Sequence, residues 1–232
     1  MQIRASASIQ RVTIQHVTVA SDVHPDTAPP LVVDLDGTLI RSDLLIEGAF
    51  AHIGTKLTGA VELAQALRGG KAALKHFLAH QEDLDCARLP YDPAVLELIA
   101  EAKAQGRQVY LASASHERQV EAVARHLGLF DGVFATTENH NLSGADKARA
   151  LVDAFGTGNF DYVGNAAPDL EVWRHVRVAY AVDPGRRLSG RICELGVPHQ
   201  VCRTQVGNVI WSLPRLLDAR RHPPNPVSRK HL

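Results

Sequence analysis

Short apolar runs alternate with amphipathic segments along most of the chain. The apolar runs LVVDLD, QVYLAS, GVFAT, FDYVGN and RVAYAV are rich in β-branched and aromatic residues, which predicts buried strands. The segments between them, DPAVLELIAEAKAQG, HERQVEAVARHLGLF, GADKARALVDAFG and PDLEVWRHV, have apolar residues at helical spacing. The pattern therefore predicts strands and helices that alternate from residue 31 to about residue 184.

Residues at the ends of these segments support the predicted helices. Asp92 is a good N-cap, Pro93 suits the first helical position, and Gly106 suits the position just after the helix. Gly156 predicts the end of a later helix, and Pro168 predicts the start of another. The order predicts an α/β fold, a doubly wound and mostly parallel sheet covered on both faces. Ligands of such sheets bind where the strands end.

Residues 43–90 are too many for a simple connection between a strand and a helix. They contain the helical pieces LLIEGAFAHIG, GAVELAQAL and KAALKHFLAHQEDL, which predict a small helical cap over the end of the first strand. The N-terminal segment is predicted to be loosely ordered, although VTIQHVTVA could add an edge strand. The predicted organisation is an N-terminal segment at 1–30, a core at 31–42 and 91–204, a cap at 43–90, and a C-terminal helix and basic tail at 205–232.

Composition and charge narrow the function classes. The 232 residues, 45% of them hydrophobic and 22% charged, allow one core domain with a small insertion. A formal net charge of zero gives no electrostatic reason to expect nucleic-acid binding. No apolar run approaches the roughly 20 residues of a transmembrane helix, so no transmembrane segment is expected. The three cysteines are scattered, which favours neither a zinc site nor disulfides and predicts a cytoplasmic protein.

Two carboxylates, Asp34 and Asp36, lie at the end of the first apolar run and are followed by Gly37 and Thr38. One carboxylate at such a place could attack an electrophile, and the other could move protons at the leaving group. Mg²⁺ would reduce the repulsion between them, because it prefers oxygen ligands together with a substrate phosphate. The alternative is a pair of aspartates that cap a turn, and for an isolated DxD this alternative is favoured.

The sequence DLDGT resembles motif I of the haloacid dehalogenase (HAD) superfamily, whose members are mostly Mg²⁺-dependent phosphatases. By this resemblance Ser113 matches motif II, Lys147 matches motif III, and Asn165 with Asp169 matches the acidic motif IV. The resemblance covers residues 31 to about 184 and implies a HAD-like Rossmannoid core. It also implies a phosphohydrolase that acts on a small phosphorylated substrate.

The resemblance implies a role for each matching residue. Asp34 would be the nucleophile that forms an aspartyl-phosphate, Asp36 the general acid and base, and Ser113 with Lys147 the groups that hold the phosphoryl oxygens. Ser113 could instead be a turn residue, with Ser115 competing for its role, and Lys147 could be a solvated helix residue. The residues expected to hold Mg²⁺ are Asp34, Asp36 (also through its main-chain carbonyl), Asn165 and Asp169.

Motif IV departs from the common pattern, because Asn165 stands where many relatives have an aspartate. An amide oxygen carries no charge, so weaker Mg²⁺ binding is expected, and Asp169 would supply the charge or cap the helix beside Pro168. The strings RGGKAALKHFLA, LASASHERQVEAVARHLGLFDGVFAT, NLSGADKARALVDAFG and FDYVGNAAPDLEVWR look like the HAD domain fused to UbiA-type polyprenyl transferases, where this asparagine is usual.

This narrower resemblance implies an alternative function. The chain could be a weakly active or inactive partner or regulatory module of a polyprenyl-phosphate pathway, associated peripherally with a membrane prenyltransferase.

Dehalogenases of the superfamily lack the second aspartate, so Asp36 favours phosphoryl transfer over cleavage of a carbon–halogen bond. The sequence leaves the oligomeric state open.

Overall fold

A computed structural model describes residues 28–55, 58–79, 84–137 and 140–203 of the protein. Its centre is a six-stranded sheet in which every neighbouring pair of strands is parallel. The strand order is β3-β2-β1-β4-β5-β6, which confirms the predicted α/β fold. The strands are β1 (Leu31–Asp34), β2 (Val109–His116), β3 (Gly132–Thr136), β4 (Asp161–Gly164), β5 (Ala179–Val182) and β6 (His199–Cys202).

Eight α-helices lie within the described residues. They are α1 (Leu44–Thr55), α2 (Gly59–Arg68), α3 (Gly70–Ala79), α4 (Pro93–Ala104), α5 (Glu117–Leu127), α6 (Ala145–Phe155), α7 (Leu170–Trp173) and α8 (Arg186–Glu194). Two short 3₁₀ helices, Cys86–Arg88 and Ala167–Asp169, precede α4 and α7.

Side chains that alternate along the strands divide the apolar core between the two faces of the sheet. Val33 of β1 packs in one cluster with Ile99 of α4 and Val123 of α5. Val32 points to the other face and belongs to a second cluster with Leu151 of α6. All five are fully buried, and each such side chain contributes roughly 1.5–3 kcal/mol to folding. The helices thus cover both faces of the sheet, as a doubly wound fold requires.

Three predicted helix ends are confirmed. The Asp92 carboxylate accepts hydrogen bonds from the N–H groups of Ala94 and Val95, which fixes the start of α4. Gly106 has φ +74° just past the end of α4. Gly156 has φ +83° and donates its N–H to the carbonyl of Val152, which ends α6.

The helix predicted for PDLEVWRHV is shorter than expected. The segment forms a 3₁₀ turn, Ala167–Asp169, followed by only four α-helical residues in α7. The Asp169 carboxylate accepts hydrogen bonds from the main-chain N–H groups of Asn165 and Ala166. This contact bends the chain tightly after β4, and residue 165 is held in that bend.

The sequence pattern did not predict β6. His199, Gln200 and Val201 are exposed, so this strand lacks the apolar run that identifies a buried strand. It is held at the sheet edge by its parallel main-chain pairing with β5.

The region predicted as a helical cap contains three α-helices and one 3₁₀ helix in its described residues. Helices α1, α2 and α3 follow β1 directly, and His52 of α1 lies buried among them. Its Nε2 is 2.9 Å from Glu62 Oε2 of α2, and its ring meets the ring of Phe77 of α3 edge-on at 5.1 Å. One histidine thus joins all three helices. The division into core and cap domains at residues 43 and 90 stays a prediction.

Several predicted features lie at the ends of the chain. The possible edge strand VTIQHVTVA and the predicted C-terminal helix and basic tail at 205–232 lie outside the described residues. Within the described residues, every helix is too short or too polar to span a bilayer.

An ion-pair cluster joins strands at the amino end of the sheet. Asp161, the first residue of β4, is fully buried and accepts hydrogen bonds from Arg107 and Arg177. Arg107 precedes β2 and also donates its Nε to the carbonyl of Pro29, just before β1, at 2.7 Å. Arg177 lies just before β5, so these contacts tie the starts of four neighbouring strands together, at the opposite end from the candidate site.

Candidate active site

The carboxyl ends of β1, β2 and β4 lie side by side at the centre of the sheet. Strand β1 ends at Asp34, and Ser113 belongs to the last part of β2. Asn165 follows β4, and Lys147 enters from the first turn of α6. The fold therefore brings residues that are far apart in sequence to one edge of the sheet, as the family resemblance implied.

Asp34 is buried, with 7% of its surface exposed, and both of its oxygens have partners. Lys147 Nζ donates to Oδ1 at 2.6 Å, and Thr38 Oγ1 donates to Oδ2 at 3.1 Å. Burial raises the pKa of the Asp34 carboxyl to about 7 although the Lys147 ammonium acts to lower it, and the negative charges of Asp169 and Asp36 add to the increase. Added positive charge at this place would favour the reactive carboxylate form.

Lys147 is also buried, with 5% of its surface exposed, and its ammonium has three acceptors. These are Asp34 Oδ1, the hydroxyl of Tyr162 at 3.1 Å and the carbonyl of Ala112 at 3.4 Å. Burial alone lowers the pKa of Lys147, but the surrounding carboxylates, first Asp34, more than offset this, so the pKa is raised. Lys147 is therefore a buried cation fixed on Asp34, and the possibility of a solvated helix residue is excluded by its burial.

Asp36 accepts three hydrogen bonds. Its Oδ1 accepts the N–H of Leu44, the first residue of α1, at 2.8 Å. Its Oδ2 accepts the hydroxyls of Ser113 at 2.9 Å and Ser115 at 2.8 Å. The side chain of Asp36 thus connects the end of β1 with β2 and with the start of the cap helices.

Ser113 and Ser115, the two alternatives for motif II, contact the same oxygen of Asp36. Ser113 is fully buried, and its Oγ also accepts the N–H of Ser115 at 2.9 Å. Both hydroxyls therefore position Asp36 in this structure. The contact of Ser113 with phosphoryl oxygens stays a prediction.

Asn165 lies against the turn that follows Asp36. A Cβ placed on Gly37 would come within 2.3 Å of Asn165 Nδ2, and Gly37 has φ +76°, so only glycine fits under this amide. The Oδ1 of Asn165 is buried and has no hydrogen-bond partner. A buried acceptor without a partner costs free energy, which is recovered when the acceptor binds a cation or another donor.

Both carboxylate oxygens of Asp169, in contrast to Oδ1 of Asn165, have hydrogen-bond partners. Its Oδ2 accepts two main-chain N–H groups of the motif IV loop, and its Oδ1 accepts the hydroxyl of Tyr162 at 2.8 Å. Asp169 thus caps the turn after β4, which was one of its two predicted roles. Direct coordination of a metal by Asp169 stays a prediction.

The donor atoms fit a small oxygen-preferring cation. Asp34 offers a carboxylate and Asn165 offers an unpaired amide oxygen, which are the ligand types that Mg²⁺ accepts. Within the described residues, no group of three or more His, Cys, Asp or Glu side chains forms a metal cluster. A metal here would therefore depend on a mixture of carboxylate, amide and main-chain oxygens.

A family model described as haloacid dehalogenase-like hydrolase matches residues 31–172. The chain belongs to the haloacid dehalogenase-like hydrolase family. Its match begins at β1 and ends in α7, so it includes every predicted site residue. The assignment of Asp34, Ser113, Lys147 and Asn165 to individual family motifs stays a prediction.

One relative is the uncharacterized protein y4nM of Sinorhizobium fredii (strain NBRC 101917 / NGR234). It is 35% identical over 175 residues, which are 74% of this chain but 33% of the relative. The HAD-like chain thus spans about a third of the length of this curated relative.

Solved structures with a similar fold are distant in sequence. A protein of unknown function from Bordetella pertussis Tohama I has a TM-score of 0.56 at 16% identity, covering 75% of this chain and 98% of the other. An apo phosphoserine phosphatase has a TM-score of 0.52 at 17% identity, covering 83% and 98%. At such identities the likeness confirms the HAD-like fold.

Tyr162 is the residue of this HAD-like site that the sequence pattern missed. It belongs to the apolar run of β4, where an aromatic residue is typical of a buried strand. Its hydroxyl gains a role only through two contacts in the folded chain. One is with Lys147 of α6, and the other is with Asp169, which follows the end of β4.

Proposed function

We propose that the protein is a Mg²⁺-dependent phosphohydrolase that acts on a small phosphorylated metabolite through an aspartyl-phosphate. The observation that supports this most directly is the pairing of buried Asp34 with Lys147. Asp36 lies two residues after Asp34 and is held by other partners. A nucleophile needs a neighbouring cation to stabilise the charge that develops on the phosphoryl group. A second carboxylate that is not bound to that cation can move protons.

In the first half of the proposed reaction, an oxygen of Asp34 bonds to phosphorus. The bond between phosphorus and the leaving oxygen breaks, and Asp36 gives its proton to that oxygen. In the second half, Asp36 takes a proton from water, whose oxygen bonds to phosphorus. The bond to Asp34 then breaks, which releases phosphate and restores both side chains.

The residues that would hold Mg²⁺ are Asp34, Asp36 through its main-chain carbonyl, and Asn165, with Asp169 supporting the loop of Asn165. When bound, Mg²⁺ supplies positive charge that favours the Asp34 carboxylate and neutralises substrate phosphate. Lys147 donates hydrogen bonds to phosphoryl oxygens as a point charge, and its longest contact, 3.4 Å to Ala112, is the easiest to exchange. Ser113 contributes either the same kind of contact or only the position of Asp36.

The side chain of Asp36 distinguishes phosphoryl transfer from dehalogenation. A halide leaving group needs no proton, whereas an alkoxide leaving group does. Asp36 is held by two serine hydroxyls and one main-chain N–H, so its orientation is fixed in advance. This arrangement favours a phosphate ester as the substrate.

The test is hydrolysis of an aryl phosphate and of a panel of phosphorylated metabolites, with Mg²⁺ and with EDTA. Wild type is expected to turn over only with Mg²⁺, and Asp34→Asn is expected to abolish turnover. Asp85→Asn is the control, because Asp85 caps a 3₁₀ turn outside the site. Mg²⁺-dependent turnover that survives Asp34→Asn would refute the aspartyl-phosphate.

The uncharged amide at position 165 favours a second function, that of a weakly active or inactive partner or regulatory module. Its proposed context is a polyprenyl-phosphate pathway, with peripheral association to a membrane prenyltransferase. Calorimetric titration with Mg²⁺, alone and with BeF₃⁻, separates the two functions. Absence of binding at millimolar Mg²⁺ would favour the second function, and tighter Mg²⁺ binding with BeF₃⁻ would favour the phosphohydrolase.

A further inference from the structure

The hydroxyl of Tyr162 lies between two buried charged groups. Lys147 Nζ is 3.1 Å from it on one side, and Asp169 Oδ1 is 2.8 Å from it on the other. Tyr162 is fully buried, and Lys147 and Asp169 are 5% and 4% exposed. Water therefore does not substitute easily for any of these contacts.

The chemistry of the three groups fixes the direction of both hydrogen bonds. An ammonium only donates, so the tyrosine oxygen accepts from Lys147. The single proton of the hydroxyl is then donated to Asp169, whose other oxygen is occupied by the main-chain N–H groups of Asn165 and Ala166. A continuous chain of contacts runs from the motif IV loop through Tyr162 and Lys147 to Asp34.

The hydroxyl of Tyr162 separates the Lys147 ammonium from the Asp169 carboxylate. The buried ammonium of Lys147 lies near two buried carboxylates, Asp34 and Asp169, which compete for direct pairing with it. Tyr162 stands between Lys147 and Asp169, so their attraction acts across a neutral hydroxyl. Asp34 Oδ1 keeps the direct contact at 2.6 Å. Without the hydroxyl, Oδ1 of Asp169 would lose its donor, and the ammonium would be drawn toward this oxygen.

We infer that Tyr162 is a positioning residue, whose hydroxyl, held by Asp169, keeps the Lys147 ammonium on Asp34 and away from direct pairing with Asp169. For catalysis this inference rests on the proposed phosphohydrolase function. The position of the ammonium is a property of the structure and is measured separately.

Tyr162→Phe tests this with little change in packing. The ring keeps its edge-on contact with Trp173, with centroids 6.5 Å apart, and only the hydroxyl is lost. Tyr110→Phe is the matched control, because Tyr110 also lies on a strand of the sheet, β2, and among the described residues its hydroxyl donates to Gln108 at the surface. Crystal structures of wild type and both variants, solved without added metal, give the position of Lys147 Nζ.

In Tyr162→Phe, Nζ is expected to move beyond hydrogen-bond range of Asp34 Oδ1, to more than about 3.5 Å. With a phosphate ester that the wild type hydrolyses, kcat is expected to fall on the order of 10- to 100-fold with little change in KM, because a misplaced group weakens the transition state. Tyr110→Phe is expected to keep the wild-type position of Nζ and the wild-type kcat.

The outcomes separate the inference from the proposed function. An ammonium that stays on Asp34 in Tyr162→Phe overturns the inference whether or not the wild type is active. An ammonium that moves without loss of kcat overturns the part of the inference that concerns catalysis. If the ammonium moves but the wild type hydrolyses no ester of the panel, the positioning stands and the proposed function fails.

Discussion

At the scale of single residues, Asn165 is the departure that matters most. The family resemblance implies an acid at this position, and the buried Oδ1 of the amide that stands there has no hydrogen-bond partner. The negative charge around the site comes instead from Asp34, Asp36 and Asp169, and Lys147 neutralises part of it. An amide at position 165 avoids one more buried charge in the metal-free protein, at the expense of attraction for Mg²⁺.

Asn165→Asp is therefore expected to have opposite effects with and without metal. The added carboxylate should tighten Mg²⁺ binding roughly tenfold, because ligand charge raises the affinity of an oxygen site. Without Mg²⁺ it should lower the free energy of unfolding, because it repels the nearby aspartates. Calorimetry gives the affinity, and urea unfolding in EDTA gives the stability.

Asn165→Leu is the control for this substitution, because it keeps a side chain of similar size without the oxygen. It is expected to weaken Mg²⁺ binding. Equal Mg²⁺ affinity in wild type and both variants would show that residue 165 does not contact the metal.

At the scale of elements, the sequence predicted the strands and helix ends that leave a local pattern of apolar and capping residues. The five apolar strands and the ends of α4 and α6 were predictable because burial and capping leave a local pattern. Strand β6 was not predictable, because its side chains are exposed and only main-chain pairing holds it. The hydroxyl of Tyr162 was not predictable either, because its partners depend on how β4, α6 and the motif IV loop pack.

The candidate site follows the same division. The motif order placed Asp34, Asp36, Ser113, Lys147 and Asn165 at one edge of the sheet, and the structure brings them together. The sequence did not predict which atoms of these residues are in contact. Ser113 and Ser115 share one oxygen of Asp36, and this contact depends on how β2 packs against the turn that follows β1.

The turn after β1 is the element on which the Asn165 amide rests. Gly37→Ala is expected to have two costs: a positive φ, at about 1 kcal/mol, and a clash with Asn165. Gly106→Ala is the matched control, because Gly106 has φ +74° but open space around its would-be Cβ. Urea unfolding should show a loss in both variants and a larger loss in Gly37→Ala.

Mg²⁺ affinity distinguishes the two glycines further. Gly37→Ala displaces the amide and should weaken Mg²⁺ binding, whereas Gly106→Ala should bind like the wild type. Equal unfolding free energies and equal affinities in the two variants would mean that Asn165 moves aside at no cost.

At the scale of the whole molecule, the candidate site and the ion-pair cluster that stabilises the fold lie at opposite ends of the sheet. The carboxyl ends of the strands hold Asp34 and its partners. The amino ends are tied by Asp161 with Arg107 and Arg177. In the part of the chain that the structure describes, the side chains of this cluster form no hydrogen bond with a side chain of the candidate site. Substitutions at the amino ends should therefore change folding with little effect on the site.

Asp161→Asn is expected to lower the free energy of unfolding by about 3 kcal/mol, because it leaves the buried Arg107 without a full countercharge. Glu171→Gln is the control, since the pair of Glu171 with Arg174 is exposed and should contribute well under about 1 kcal/mol. Urea unfolding measures both losses. At temperatures where the variants remain folded, kcat and Mg²⁺ affinity should match the wild type. A fall in either one for folded Asp161→Asn would show that the two ends of the sheet are coupled.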